Sequence, residues 1–279
     1  MPLGLQKRLH MCRFSLPLAC LVLALLVHLP ARAAVQLEWL QLAACRTTGS
    51  LMLLRGEGLQ AAHRQAFEQQ RDGLQNAYAQ LPVDARQRLH QPYRQLLESL
   101  AAGLSFGPRE DDLPWQYPEQ LSRALVTLLE RADALQQGPR QSPLGTALRL
   151  EYFATLYLGQ AYLGYFDITP GPEARYPNQS GEQLLASLDQ DLRRSLPLLD
   201  RPGLDRARKA QAEWAYLRAA LADFDSAGRA RLGHSGKPLV PLVVSRYSRN
   251  LSERLLALPS GAAGDIPAST AASAGVPGS

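Results

Sequence analysis

The sequence predicts an all-α protein: two tandem helical bundles of about four helices each, at 35–137 and 143–258, behind a signal peptide at 1–33 and ahead of a tail at 259–279. Three observations carry this. Between Leu204 and Phe224 the apolar residues Ala207, Ala210, Trp214, Leu217, Leu221 and Phe224 recur in steps of three and four, which is the spacing of one helix face. The same rhythm returns in most of the remaining chain. The two halves also match when one is slid over the other. Trp214, at the middle of its stripe, reads as the anchor of a helical core, because burying so large a ring contributes about 3 kcal/mol.

The first 33 residues read as an export signal. Lys7, Arg8 and Arg13 make a basic start, Phe14 to Pro30 is apolar except for Ser15, Pro17 and His28, and Ala31-Arg32-Ala33 offers small residues where signal peptidase needs them. The alternative is an uncleaved anchor, although the run falls short of the ~20 residues a span needs. The four bases of this segment account for most of the net charge of +5, and without them 26 bases face 25 acids. A near-neutral chain with mixed signs gives no footprint for nucleic acid. Cys12 and Cys20 leave with the signal, so Cys45 has no disulfide partner. Leu42-Ala43-Ala44-Cys45 spells a lipoprotein-type box, but Gln36, Glu38 and Gln41 interrupt the apolar run such a box requires, and Cys45 reads as a buried helix residue. Lys7, Lys209 and Lys237 are the only lysines among 30 basic residues, a bias expected of a GC-rich bacterial genome; the expected compartment is the periplasm.

The elements follow in order. Leu37, Leu40, Ala44, Thr47, Leu51, Leu54, Gly58 and Ala61 keep the helical rhythm, and His63, Phe67, Gln70, Leu74, Tyr78 and Leu81 continue it until Pro82. Gly49, Gly56 and Gly58, each costing about 1 kcal/mol in a helix, either admit a close neighbour or mark a kink. A helix from Val83 carries Leu89, Tyr93, Leu96, Leu100 and Leu104 past Pro92, and Gly107 to Pro118 is a loop of proline and acid holding Trp115. Pro118 opens a helix with Leu121, Leu125, Leu128, Ala132 and Leu135 on one face. Gln141 to Gly145 reads as the junction. Ala147 to Phe166 is apolar nearly all round and belongs in the middle of the fold. Ser180 and Gln183 form a capping box for a helix facing inward through Leu185, Leu188, Leu192, Leu196 and Leu199. The Trp214 helix follows, and the last helix carries Val240, Val244, Tyr247, Leu251, Leu255 and Leu258. The tail, rich in glycine, alanine, serine and threonine, has no periodic face and is expected to be disordered.

Leu74 and Leu81 match Leu192 and Leu199 at an offset of 118; Tyr93, Leu96 and Leu100 match Trp214, Leu217 and Leu221 at 121; Ala124, Leu128, Ala132 and Leu135 match Tyr247, Leu251, Leu255 and Leu258 at 123. An offset that grows only in the loops is the mark of a duplication. Through Gly49-Ser50-Leu51-Met52, Phe67 to Leu74, and the Trp214 helix followed by Val240 to Leu258, the chain resembles the PilJ-like periplasmic helical domain of type IV pili chemotaxis transducers and nitrate sensors. That resemblance implies a helical sensor domain whose ligand-binding version carries Gly-x-x-Arg and a second arginine. Met52 and Glu57 stand at those two places here, with Arg55 nearby, and in the second half Gly145 is followed by Arg149, one residue later than the pattern.

Catalytic constellations are missing from the sequence. It has no Gly-x-Ser-x-Gly elbow, phosphate loop or dinucleotide fingerprint, His63, His90 and His234 show no metal-ligand spacing, and Glu110-Asp111-Asp112 reads as a solvated acidic turn. No cofactor is expected. The function expected is a non-catalytic binding or sensor-like accessory protein, the partner of an envelope signalling system; the rival is an enzyme with Tyr and Arg side chains lining a bundle cavity. Arg55 and Arg149 are the candidate ligand-binding residues, because an arginine on a small or apolar stretch must reach water or meet an anion.

Overall fold

The computed structural model describes residues 15–136, 142–164, 181–196, 204–222 and 239–258. Residues 1–14, 137–141, 165–180, 197–203, 223–238 and 259–279 lie outside the described residues, and with them fall the start of the expected signal, part of the expected junction, Ser180 of the expected capping box, Leu199 and Phe224. Eight α-helices are present among them: α1 (Ser15–Gly56), α2 (Ala61–Ala79), α3 (Val83–Ser105), α4 (Tyr117–Ala134), α5 (Pro143–Leu163), α6 (Gly181–Ser195), α7 (Leu204–Ala222) and α8 (Leu239–Leu256). The only other regular element described is a 3-10 turn at Glu110–Asp112, so the all-α class holds. No helix among the described residues is long and apolar enough to cross a membrane.

Two helices occupy the centre. From Leu37 onward α1 is buried on nearly every side, against α2, α4 and α5, and α5 is buried likewise between α1, α6 and α8. Helix α3 packs on α4, and α7 on α8 and α6. One apolar core runs through both halves, from Leu37 in α1 to Leu258 beyond α8. Trp214 is buried as expected, but α7 is not the centre: its single apolar stripe covers a flank, whereas only a helix apolar or small all round can be enclosed.

Helices α1 and α5 run parallel. Ser142, the N-cap of α5, donates to Glu38 near one end; Arg46 meets Glu151 in the middle; Gly56 lies against Tyr162 at the other end. Gly49 faces Thr155 and Leu158, and the hydroxyl of Thr155 donates to the carbonyl of Cys45 at 3.0 Å. Small residues thus bring two backbones close, which resolves the role of two of the three glycines. The third ends the helix. Gly58 sits at φ 81° and Leu59 at φ 60°, the N–H of Gly58 reaches Arg55 O and that of Leu59 reaches Leu54 O at 2.7 Å, in the pattern of a Schellman cap. The apolar rhythm from Leu37 to Leu81 is therefore two helices, α1 and α2, and not one. Helix α5 starts at Pro143, four residues before the expected Ala147, because Ser142 caps it. In α6, Leu184 rather than Leu185 is the fully buried leucine. Tyr78 and Tyr93 stack at 3.8 Å and fasten α2 to α3.

Candidate functional site

The end of α1 and the end of α5 open into a cleft of about 320 Å³, lined by Arg55, Gly56, Pro108, Arg109, Leu113 and the last residues of α5 up to Gly164. Arg55 enters it from a position fixed by the Schellman cap. Its Nη1 donates to the carbonyls of Gly103 at 2.6 Å and Phe106 at 3.3 Å, its Nη2 to that of Gly107 at 2.8 Å, and its guanidinium lies 6.0 Å from the Phe106 ring centre. Gly103 O is an orphan carbonyl of the last turn of α3, which a cation at a helix C-terminus satisfies well, and Phe106 and Gly107 are the C-cap and the residue after it. Arg55 is only 7% exposed, and among the described residues its Nε has no hydrogen-bond partner and no carboxylate is ion-paired with it. Burial pulls the guanidinium pKa down, while Tyr117 and Asp112 oppose that shift.

The opposite wall is tied to α1. The ring of Tyr162 covers Gly56 so closely that an added Cβ would fall 2.2 Å from it, and its hydroxyl donates to Glu57 Oε1 at 2.7 Å. Burial, and then that hydrogen bond, push the phenol well above its ordinary range. On the near rim, Arg109 is largely exposed and pairs with Asp112, whose carboxylate also accepts the backbone N–H of Arg109 at 2.9 Å. That backbone bond holds the Asp112 pKa below the usual carboxylate range.

Arg149, the second sequence candidate, is placed elsewhere. It lies thirteen residues before Tyr162 on α5, about 20 Å along the helix from the cleft. It is ion-paired with Asp191 of α6, which Arg194 also meets. Arg55 and Arg149 are thus not brought together, and the second meets its anion inside the protein.

A third charged group went unseen in the sequence. Glu151, on α5, accepts from Arg46 Nε of α1 at 3.0 Å, from Arg249 Nε of α8 at 2.9 Å and from the hydroxyl of Ser252 at 2.7 Å, while Arg46 also donates to Ser252 at 2.5 Å. Burial lowers the Arg46 pKa and the Glu151 charge opposes it. The available signal was compositional: Glu151 is the single acid on a helix otherwise apolar nearly all round. Cys45, one residue before Arg46, is fully buried, and burial beside Glu151 raises its thiol pKa far above the ordinary value. Cleavage before Cys45 would remove the core residues Leu37, Leu40 and Leu42. No group of three His, Cys, Asp or Glu among the described residues is arranged to hold a metal ion. No protein-family model, curated protein or solved structure matches the chain.

Proposed function

We propose that this is a non-catalytic helical binding protein of the bacterial envelope, exported through its N-terminal segment, sensor-like or accessory to a signalling partner, and that it takes a small anion in the cleft at the ends of α1 and α5. One observation carries the reading: Arg55, a buried guanidinium whose partners among the described residues are backbone carbonyls, lines an open cleft with a second arginine at its rim. A buried cation with no carboxylate in contact retains most of its electrostatic demand for an anion. Descent by duplication from a PilJ-like unit belongs to the same proposal; the parallel packing of α1 on α5 supports it, as the first long helices of the two halves then pack as equivalents.

The test is thermal shift with nitrate, sulfate, phosphate and short carboxylates on wild type, Arg109→Ala and Arg55→Lys, reading the rise that each anion adds to each variant's own melting temperature. A ligand specific to the folded state raises it with occupancy. The expected result is a rise with at least one anion that shrinks in both variants; no rise in wild type overturns the anion reading. Fractionation with a C-terminal tag tests the compartment, and recovery in the cytoplasm would overturn export.

A further inference from the structure

Gly73 stands inside α2, yet the packing of the protein does not require a glycine there. Gly49, Gly56 and Gly103 each face a side chain that a Cβ would touch or displace, whereas a Cβ on Gly73 would meet nothing within 4 Å. Its φ is not positive either. Glycine is unfavourable in a helix interior, and what it offers in return is close approach to the backbone. Among the described residues nothing makes that approach.

Gly73 belongs to a cleft of about 170 Å³ lined by Gln36 and Trp39 of α1 and by Gly73, Asn76, Ala77 and Gln80 at the end of α2. Helix α2 returns along α1, held there by the Thr47 hydroxyl on the Gln70 carbonyl at 3.0 Å, and positions 73, 76, 77 and 80 form one helix face. Trp39 lies sixteen residues before Arg55 on α1, about 24 Å along the helix, so this is a site separate from the Arg55 cleft.

The lining decides the ligand. None of the six residues is ionisable: Arg64, Glu68, Arg71 and Asp72 all precede Gly73 on α2, and Glu38 is buried and accepts from Ser142. A charged ligand would be desolvated there without a counter-charge, so the fitting ligand is neutral. Each of the three carboxamides offers donors and an acceptor, and none makes a side-chain hydrogen bond among the described residues. Trp39, 42% exposed, adds a broad ring whose negative face attracts polarised C–H groups. A pyranose matches this set, since its hydroxyls both donate and accept and one of its faces is C–H. A proline-rich peptide would engage the amide donors alone, because proline has no N–H. The volume falls below the roughly 300 Å³ at which pockets for larger ligands begin, which limits the occupant to one ring. The geometry points to a binding site for a neutral pyranose, free or at the end of a glycan, seated over Gly73 against Trp39 with its hydroxyls on Gln36, Asn76 and Gln80. This site does not depend on the Arg55 cleft's taking an anion.

The test is isothermal titration of the purified full chain with glucose, galactose, mannose and N-acetylglucosamine, beside a glycan array that separates a free sugar from a chain end. Glucuronate and a triproline peptide serve as the charged and peptide comparisons. The expected result is saturable binding of at least one neutral sugar, or of a glycan ending in one, with a dissociation constant of about 1 mM. Trp39→Ala and Gly73→Leu, whose side chain fills the cleft, are each expected to weaken it about tenfold or more, and Arg109→Ala is expected to leave it unchanged. Gly73→Leu should melt no lower than wild type, because leucine is the better helix former and its Cβ meets no neighbour, so binding lost in this variant is not lost folding. No saturable binding of any sugar or glycan, binding indifferent to both cleft variants, or a preference for glucuronate or the peptide would each overturn the inference. Failure of the anion reading would appear instead in the thermal shifts of the Arg55 and Arg109 variants.

Discussion

The hydroxyl of Tyr162 donates to Glu57 across 105 residues of sequence, and the same ring occupies the place where a side chain on Gly56 would stand. One aromatic residue therefore closes the junction of the two central helices by a hydrogen bond and by shape. The two contributions separate by mutation. Gly56→Ala places a methyl inside the ring's envelope and is expected to cost about 3 kcal/mol, at the upper end of core overpacking. Tyr162→Phe loses only the hydrogen bond and leaves a buried carboxylate short of a donor, for about 1–2 kcal/mol. Because the two sites touch, Gly56→Ala combined with Tyr162→Ala should cost less than the sum of its parts. Urea unfolding followed by circular dichroism measures these three variants and the single Tyr162→Ala that the comparison needs.

Arg55 has a structural duty whatever else it binds. Replacing it by methionine keeps the stem and removes the donors, taking the side-chain partner from three carbonyls in the last turn of α3 and just after it, and a loss of about 3 kcal/mol is expected. Hydrogen exchange should quicken over residues 104–112 and hardly at all in α7. Uniform quickening over the chain would instead mean that Arg55 acts on global stability alone.

Helix faces were legible because burial follows period: Leu37, Leu40, Leu51 and Leu54, and later Ala207, Ala210, Trp214, Leu217 and Leu221, are buried where their spacing placed them. The end of α1 was not, since Gly49, Gly56 and Gly58 look alike in a string. Only in three dimensions do the first two, seven residues apart, face α5 while the third takes a positive φ. Arg55 was legible as a residue that must meet something, but its partners lie about fifty positions away and are backbone carbonyls, which no side-chain pattern announces. Within the described residues it meets neither bulk water nor a carboxylate but carbonyls at the end of α3, a partner that side-chain reasoning did not anticipate. The cluster of Arg46, Glu151 and Arg249 spans more than a hundred residues and is assembled entirely by the packing of α1, α5 and α8.

Acid should loosen the α6–α7 contact. Asp189 Oδ1 accepts the indole N–H of Trp214 at 2.9 Å, with Arg193 and Arg218 nearby; the indole bond first, and then Arg193, hold its carboxyl below the usual range. A carboxyl whose folded pKa is depressed stabilises the fold above its unfolded value of about 4, and that contribution disappears as pH falls through the lower folded value. Melting temperature is therefore expected to drop below about pH 4 with a concurrent change in Trp214 emission. Asp189→Asn should flatten this part of the profile while leaving Trp214 buried. An unchanged profile in Asp189→Asn would assign the acid sensitivity to other groups.

The strongest single dependence is expected at Glu151. Its carboxylate is nearly enclosed and stands between two guanidiniums from different helices, with Ser252 closing the set. Glu151→Ala leaves Arg46 and Arg249 facing each other across a low-dielectric junction, and removing one member of a buried ionic group costs about 3–5 kcal/mol. Glu151→Gln keeps the acceptor and the volume but not the charge, so its cost should fall between that of alanine and wild type. Removing the other side of the network gives the discriminating measurement. In Arg249→Met the remaining Arg46–Glu151 pair is charge-balanced, so the loss should be smaller than for Glu151→Ala, and combining Arg249→Met with Glu151→Ala should recover part of the stability that Glu151→Ala loses alone. Denaturant unfolding of the single and double variants gives the coupling directly. Additive losses would mean that the two arginines are held by packing rather than by the shared carboxylate.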